Sequence, residues 1–223
     1  MAKHLQRDLD RLRQHILDLA ERVQAAIRNA ILALRTRDVP LAEEVIGGDD
    51  DIDEEENYVE EECLKVLALH QPVAVDLRYV TTVLLINTDL ERMADLAANI
   101  AERALVLARF PAIPVPADLQ RMTDLTSTLV RQAIDAFVNL DAKLARTVCR
   151  LDDEVDRHNK TIIGELIRLM RGSPDMVEPG LSFFSATRHL ERIADHATNI
   201  AEDVIYLVGG EIVRHRPSAM CDE

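Results

Sequence analysis

Leu90-Glu-Arg-Met-Ala-Asp-Leu-Ala-Ala-Asn-Ile-Ala-Glu102 and Leu190-Glu-Arg-Ile-Ala-Asp-His-Ala-Thr-Asn-Ile-Ala-Glu202 are two copies of one segment, 100 residues apart. Of the 14 aligned positions from 89 to 102, ten are identical. A second match has an offset of 103: Asp38, Leu41, Ala42, Val45, Asp49, Asp50 and Asp53 recur as Asp141, Leu144, Ala145, Val148, Asp152, Asp153 and Asp156. Repeats are sought before motifs because a period of this size describes the whole fold. The fall in offset from 103 to 100 makes the connection between second and third helices shorter in the second copy.

The segments around these blocks read as helices. Leu5, Leu9, Leu12, Ile16, Leu19, Val23, Ala26 and Ala30 are spaced 4,3,4,3,4,3,4. That is the 3.5-residue seam of a long bundle helix, which runs to about Arg37. Asp38 with Pro40 reads as a cap opening a second helix toward His70, and Gln71-Pro72 breaks it. Within that helix Gly47-Gly48 costs roughly 2 kcal/mol relative to alanines and marks a place for local unwinding. A third helix spans about Val73 to Phe110. Pro111, Pro114 and Pro116 form the one proline-dense stretch and are read as the hinge between halves. Beyond it, helices are expected from Asp118 to Asn139, from Asp141 to about Arg171, and from the Gly172-Ser173-Pro174 turn to Gly209-Gly210. The tail from Arg216 is read as frayed. The expected fold is all-α, two tandem three-helix bundles covering residues 1–113 and 114–223.

Composition agrees with that class. Hydrophobic residues are 48% of the 223, while aromatics are 3%, with 7 Gly and 8 Pro. Such scarcity of aromatic and turn residues disfavours sandwiches and barrels. Lys plus Arg number 26 against 40 Asp plus Glu, a net −14. A field of that sign repels nucleic-acid backbones and anionic lipid headgroups and attracts cations and basic protein surfaces. The cysteines, Cys63, Cys149 and Cys221, are odd in number and far apart, which suits a reducing cytoplasm. The first residues are charged and enter an amphipathic helix without a signal-peptide apolar region. The longest strongly apolar run, around Val83 to Ile86, is far below the ~20 residues that span a bilayer. The expectation is a cytoplasmic protein with no membrane insertion.

The repeated acids carry the functional signal. Glu91, Asp95, Asn99 and Glu102 are spaced 4,4,3 and fall within about 80° of one helix face, as do Glu191, Asp195, Asn199 and Glu202. Asp49 and Asp53 are four apart on the preceding helix, as are Asp152 and Asp156. Four carboxylates converge in each half if the pairs face each other. Like charges so crowded raise one another's pKa or force the helices apart. A hard cation resolves the conflict, since all-oxygen sites suit Mg, Ca, Mn or ferric iron. The opposing reading of any single pair is a solvated helix face. Asn99 and Asn199 are read as polar interhelical bonds, and Arg92 and Arg192 as surface-pairing residues. From Asp38 to Leu64 there are thirteen acids and no Lys or Arg; this run is either an exposed face or a docking surface for a basic partner. No Glu-x-x-His or Asp-x-x-His occurs, so a ferritin-like site is absent. His189 and His196 are read as surface or satisfied histidines. There is no P-loop, GxGxxG or GxSxG, and no nucleophile–base pair; an enzyme is not expected.

At Leu190 to Glu202, followed by Asp-Val-Ile-Tyr206, the sequence resembles the PhoU family, the phosphate-transport accessory proteins. Gln71-Pro72-Val-Ala-Val-Asp76-Leu-Arg78 is similar to the segment opening that family's third helix. The likeness covers essentially the whole chain. It implies tandem three-helix bundles with [Glu/Asp]-x-x-x-Asp motifs that bind multinuclear iron, another hard cation such as Mn or Mg, or Zn. On this chain the motifs fall on Asp49 and Asp53, Glu91 and Asp95, Asp152 and Asp156, and Glu191 and Asp195. The resemblance further implies a cytoplasmic negative regulator of phosphate uptake and signalling, usually a homodimer. It would contact the ATPase of the phosphate ABC transporter and the phosphate-sensing histidine kinase. Two departures stand out. Pro174-Asp-Met-Val-Glu-Pro-Gly180 replaces the Asp-Leu-Arg segment in the second half, and Asp49-Asp50-Asp51 leaves the ligand register ambiguous by a residue. The alternative function is a metal-independent helical adaptor whose acidic faces dock a basic partner; an all-carboxylate metalloenzyme is the weakest reading.

Overall fold

The computed structural model describes residues 2–111 and 114–210. Cys221 and the tail from Arg216 lie outside these residues. Among the described residues there is no β-strand, and no helix is long and apolar enough to cross a membrane.

Helix α1 spans Ala2–Thr36. Its buried face follows the expected seam through Leu9, Leu12, Ile16, Leu19, Val23 and Ala30, and widens toward Ile27, Ile31 and Leu34. Ala26 is only partly buried. The reason is geometric: a helix of 3.6 residues per turn drifts about 20° per heptad against a 3.5-residue seam. Arg37 takes a left-handed conformation, φ 57°, and ends the helix. Asp38 then caps α2, Val39–Gly47, by accepting from the Leu41 N–H at 3.1 Å. The repeat reproduces this junction. Leu140 has φ 51°, and Asp141 caps α6 by accepting from the Lys143 and Leu144 N–H groups.

The expected single helix from 38 to 70 is two helices, α2 and α3 (Asp49–His70), broken at Gly48. The broken turn leaves Asp49, Asp50 and Asp51 in the first turn of α3. Acids there are favoured by the N-terminal end of the helix dipole. In the second half the corresponding residues are Arg150 and Leu151, and α6 runs unbroken over Ala142–Gly172.

The remaining elements are α4 (Ala74–Leu107), α5 (Leu119–Asn139), a 3-10 turn (Pro174–Met176) and α7 (Val177–Gly209). Only Ser173 separates α6 from the 3-10 turn, against Gln71 to Val73 between α3 and α4. Gly210, at φ +74°, closes α7, and a Cβ there would stand 3.3 Å from Arg78 Nη1. The Arg78 guanidinium thus sits at the negative end of the α7 dipole. The linker from α4 to α5 is tied down by Arg37, whose Nη1 donates to the carbonyls of Phe110 and Pro111.

In the first half α4 packs on α1, α2 and α3; in the second α7 packs on α5 and α6. The halves meet where α4 lies against α7 and α1 against α5. Asp89 on α4 meets His196 on α7, while Arg78, earlier on α4, meets Gly210, later on α7. The two helices are therefore antiparallel. Arg13 donates to the Val138 carbonyl, and farther along Arg28 and Ser127 line one groove, so α1 and α5 are antiparallel too. Equivalent helices meeting head to tail in both seams make the halves related by an approximate internal two-fold. Their buried apolar side chains form one continuous core.

Histidine–carboxylate pairs pin the helices. His15 Nδ1 donates to Glu55 at 3.0 Å between α1 and α3. Shifted by 103, these positions become Asp118 and His158, which pair at 3.3 Å with acid and base exchanged. His70 donates to Asp8 at 2.9 Å. Between the halves, His196 donates to Asp89 at 2.8 Å and Asn199 to the same oxygen at 3.3 Å. Asp89 is 8% exposed. Truncating it leaves two part-buried donors without an acceptor, so Asp89→Ala should cost about 1 kcal/mol or more in urea denaturation, and Asp89→Asn distinctly less. Equal stability of Asp89→Ala and the parent chain would show that the seam does not depend on this contact.

Candidate metal centre

The acid pairs face each other across α3 and α4, and across α6 and α7. In the first half burial pushes the Asp49 carboxyl up to about 6, helped by the charges of Asp95, Asp53 and Asp50. Glu91 is raised by burial and then by Asp95, with Arg92 opposing and Asp53 and Glu56 adding to it. Asp49 is half-buried, while Asp50 and Asp51 are exposed. Asp53 and Asp95 sit at the solvent edge. The cluster is thus part-buried at Asp49 and Glu91 and open to solvent at Asp53 and Asp95.

The second half repeats the arrangement. Asp152 is pushed up to about 7 by burial first, then by Asp195, Asp156, Asp153 and Glu191. Asp195 is raised by burial and Asp156, against the opposing charges of His196, Arg188 and Arg192. Glu191 is raised chiefly by burial, with Arg188 opposing and Asp195 and Asp156 adding to it. Arg188 Nη1 donates to Glu191 Oε1 at 2.7 Å, while the buried Glu191 Oε2 has no partner.

Among the described residues, no three His, Cys, Asp or Glu side chains are already closed on one point in a metal-holding arrangement. The carboxylates are near enough to repel and remain apart. In donor chemistry the sets fit an oxygen-ligated cation: carboxylates only, crowded, with one buried oxygen unused.

Other repeated polar residues part company. Asn199 reaches across to Asp89, whereas Asn99 donates to the Asp95 carbonyl of its own helix. Glu202 is 9% exposed, but Glu102 is exposed and pairs with Arg103. Arg92 and Arg192 are exposed and, among the described residues, in no ion pair. His196 is satisfied by Asp89; His189 bonds Ser185 at 3.1 Å, leaving a buried Nδ1 unpaired.

Sequence reasoning missed three neighbours of the acids. Glu56 stands beside Asp53 and Glu91, raised by burial and by Glu60 and Asp53. Cys149 lies near Glu202 and Asp152, its thiol pushed up to about 12 by burial and those charges. Arg188 is the third. Each falls at a position where the repeat changes residue, to Asn159, Ile46 and Thr88 respectively, so a search for repeated acids passes over them.

The raised carboxyls make stability depend on pH. A folded Asp152 at about 7 against an ordinary 3.8 holds its proton longer than the unfolded chain does. Its contribution is complete below the unfolded value and is lost as pH rises through the folded one. Metal-free protein should therefore lose melting temperature between about pH 4 and about pH 7 through this cluster. Asp152→Asn should flatten that slope and melt above the parent at pH 8. A slope left unchanged by the substitution would contradict the crowding.

The family model for the PhoU domain matches residues 16–104 and again 119–204. The phosphate-specific transport system accessory protein PhoU homolog of Pseudomonas aeruginosa is 39% identical over 209 residues, 93% of this chain and 86% of its own. The homolog from Aquifex aeolicus is 40% identical over 94% of this chain and 95% of its own. The crystal structure of PhoU from Pseudomonas aeruginosa superposes with TM-score 0.90 at 38% identity, covering 92% of this chain and 99% of that one. The phosphate transport system regulatory protein PhoU from Streptococcus pneumoniae gives TM-score 0.87 at 30% identity, covering 94% and 99%. Two matches to the domain, one on each copy of the repeat, and these relatives over nearly full length show that the chain belongs to the PhoU family.

Proposed function

We propose that the protein is a cytoplasmic accessory regulator of a phosphate transport system that restrains phosphate uptake and phosphate-starvation signalling. It acts by binding rather than by catalysis, as a homodimer that contacts the transporter's ATPase subunit and the phosphate-sensing histidine kinase. The observation that carries the reading is the recurrence of one acid constellation at equivalent positions in both halves of a PhoU-family chain.

Asp49, Asp53, Glu91 and Asp95 would hold cations in the first half, and Asp152, Asp156, Glu191 and Asp195 in the second. Iron, Mn, Mg or Zn bound there supplies the positive charge that lets these carboxylates ionise together. Arg188 fixes Glu191 through one oxygen and leaves the other directed at no protein group. The rigid helix pairs then present their outer faces to partners. The acidic run of α2 and α3 suits a basic surface: Asp50, Asp51 and Glu54 are exposed, and Lys65 is the only Lys or Arg in α3. Charge steering of this kind chiefly speeds association and weakens with salt. The exposure of that run also favours the second reading, in which the acids dock a basic partner without metal.

Deleting the gene should leave phosphate-starvation genes switched on in phosphate-rich medium, and a chain with Asp50, Asp51 and Glu54 neutralised should restore repression only partly. Normal repression and unchanged uptake in the deletion strain would overturn the regulatory role. Elemental analysis of the purified protein separates the two readings. If no metal is found and added Fe, Mn, Zn or Mg leaves melting unchanged, the metal-free adaptor replaces the metal centre.

A further inference from the structure

The seam between α1 and α5 holds a groove of ≈ 370 Å³ that belongs to neither acid cluster. It straddles the internal two-fold: three positions of α1 and their three counterparts on α5 line it, joined by Asp124 and Thr128 from α5 alone. Arg28 and Arg131 correspond at the offset of 103, as do Ile27 and Val130, and Gln24 and Ser127. In a chain of net charge −14, two arginines are thus brought to one cleft from opposite sides. Both are exposed at its rim, and among the described residues neither has a hydrogen bond or ion pair. The floor is apolar, formed by the buried Ile27 and Val130.

We propose that this groove binds a phosphoryl anion, with one guanidinium from each half closing on it. As with the acids, two like charges share a site, and an ion of opposite sign relieves them. Guanidinium forks match phosphate oxygens bidentately, and a tetrahedral anion has the two-fold symmetry of the site. The Ser127 hydroxyl already donates to the Thr123 carbonyl at 2.8 Å, so the donors free to turn inward are the arginines and the Gln24 amide. Asp124 is the one acid lining the groove; it accepts from Gln120 at 2.7 Å, and the lining still sums to a net positive charge. Phosphate itself and the phosphate tail of a nucleotide share this chemistry, and the apolar floor leaves room for a larger molecule than phosphate. The inference goes beyond the regulatory reading and does not rest on it.

Isothermal titration of metal-free protein with inorganic phosphate and with ATP tests it, since no cation is then present to bridge either anion to the carboxylates. One equivalent should bind per chain, and Arg28→Gln or Arg131→Gln should each weaken binding at least about tenfold. Arg22→Gln, on α1 but outside the groove, should leave affinity unchanged, and thermal melts should show all three variants folded. Binding of both anions assigns the site to the phosphate group; binding of ATP alone assigns it to a nucleotide. No binding of either at millimolar concentration overturns the proposal. So does equal weakening by Arg22→Gln, which would mean unspecific charge attraction.

Discussion

The antiparallel packing of α4 on α7 decides where the other helices can lie. Each must show one face to the other half, another to the apolar core, and a third, carrying the acids, to the neighbouring helix of its own bundle. Alanine makes this possible. Ala94, Ala97 and Ala101, with Ala194, Ala197 and Ala201, are at most 2% exposed, and such small side chains let several neighbours approach one helix. The acids are left together because the continuous core holds α3 against α4, and α6 against α7. The hydrophobic contact offsets a repulsion that the helices alone would relieve by moving apart.

The two halves have kept that plan and diverged at one polar contact between them. Within the aligned block, Asp89 faces His189 in the comparison and Leu96 faces His196, and it is Asp89 and His196 that bond across the seam. The bond joins non-equivalent positions, and its symmetry mate, Leu96 with His189, has no acid to accept. The acid clusters have diverged less, in degree rather than kind. Asp49 opens α3 beside free backbone N–H groups, whereas Asp152 lies inside the unbroken α6 and is pushed further, to about 7 against about 6.

Much of this was legible in the sequence, for reasons that can be named. Helix positions followed from periodicity, since buried residues must recur every three or four. The junctions at Asp38 and Asp141 followed from capping chemistry. Duplication picked out the acid pairs, because a charge retained twice on one face asks for a reason. The break at Gly48 was less clear, because two glycines weaken a helix without saying whether it parts. What repeats conceal is anything used once. Asp89, His196, Arg188 and Cys149 gained their roles only when helices far apart in sequence came together. The exchange of His15–Glu55 for Asp118–His158 was hidden for the same reason, as partners that swap identity look like divergence along the chain.

In the proposed metal centre the four carboxylates of a half form one electrostatic unit whose sign of interaction would be set by a cation. The direct measurement is a thermal double-mutant cycle on Asp152→Asn and Asp195→Asn, in metal-free protein and with saturating Mn. Without metal each substitution should raise the melting temperature, and the pair should gain less than the sum, because each relieves the same repulsion. With Mn each should lower it. Additive effects of the same sign in both conditions would contradict the account, and the acids would then be independent residues on a solvated face.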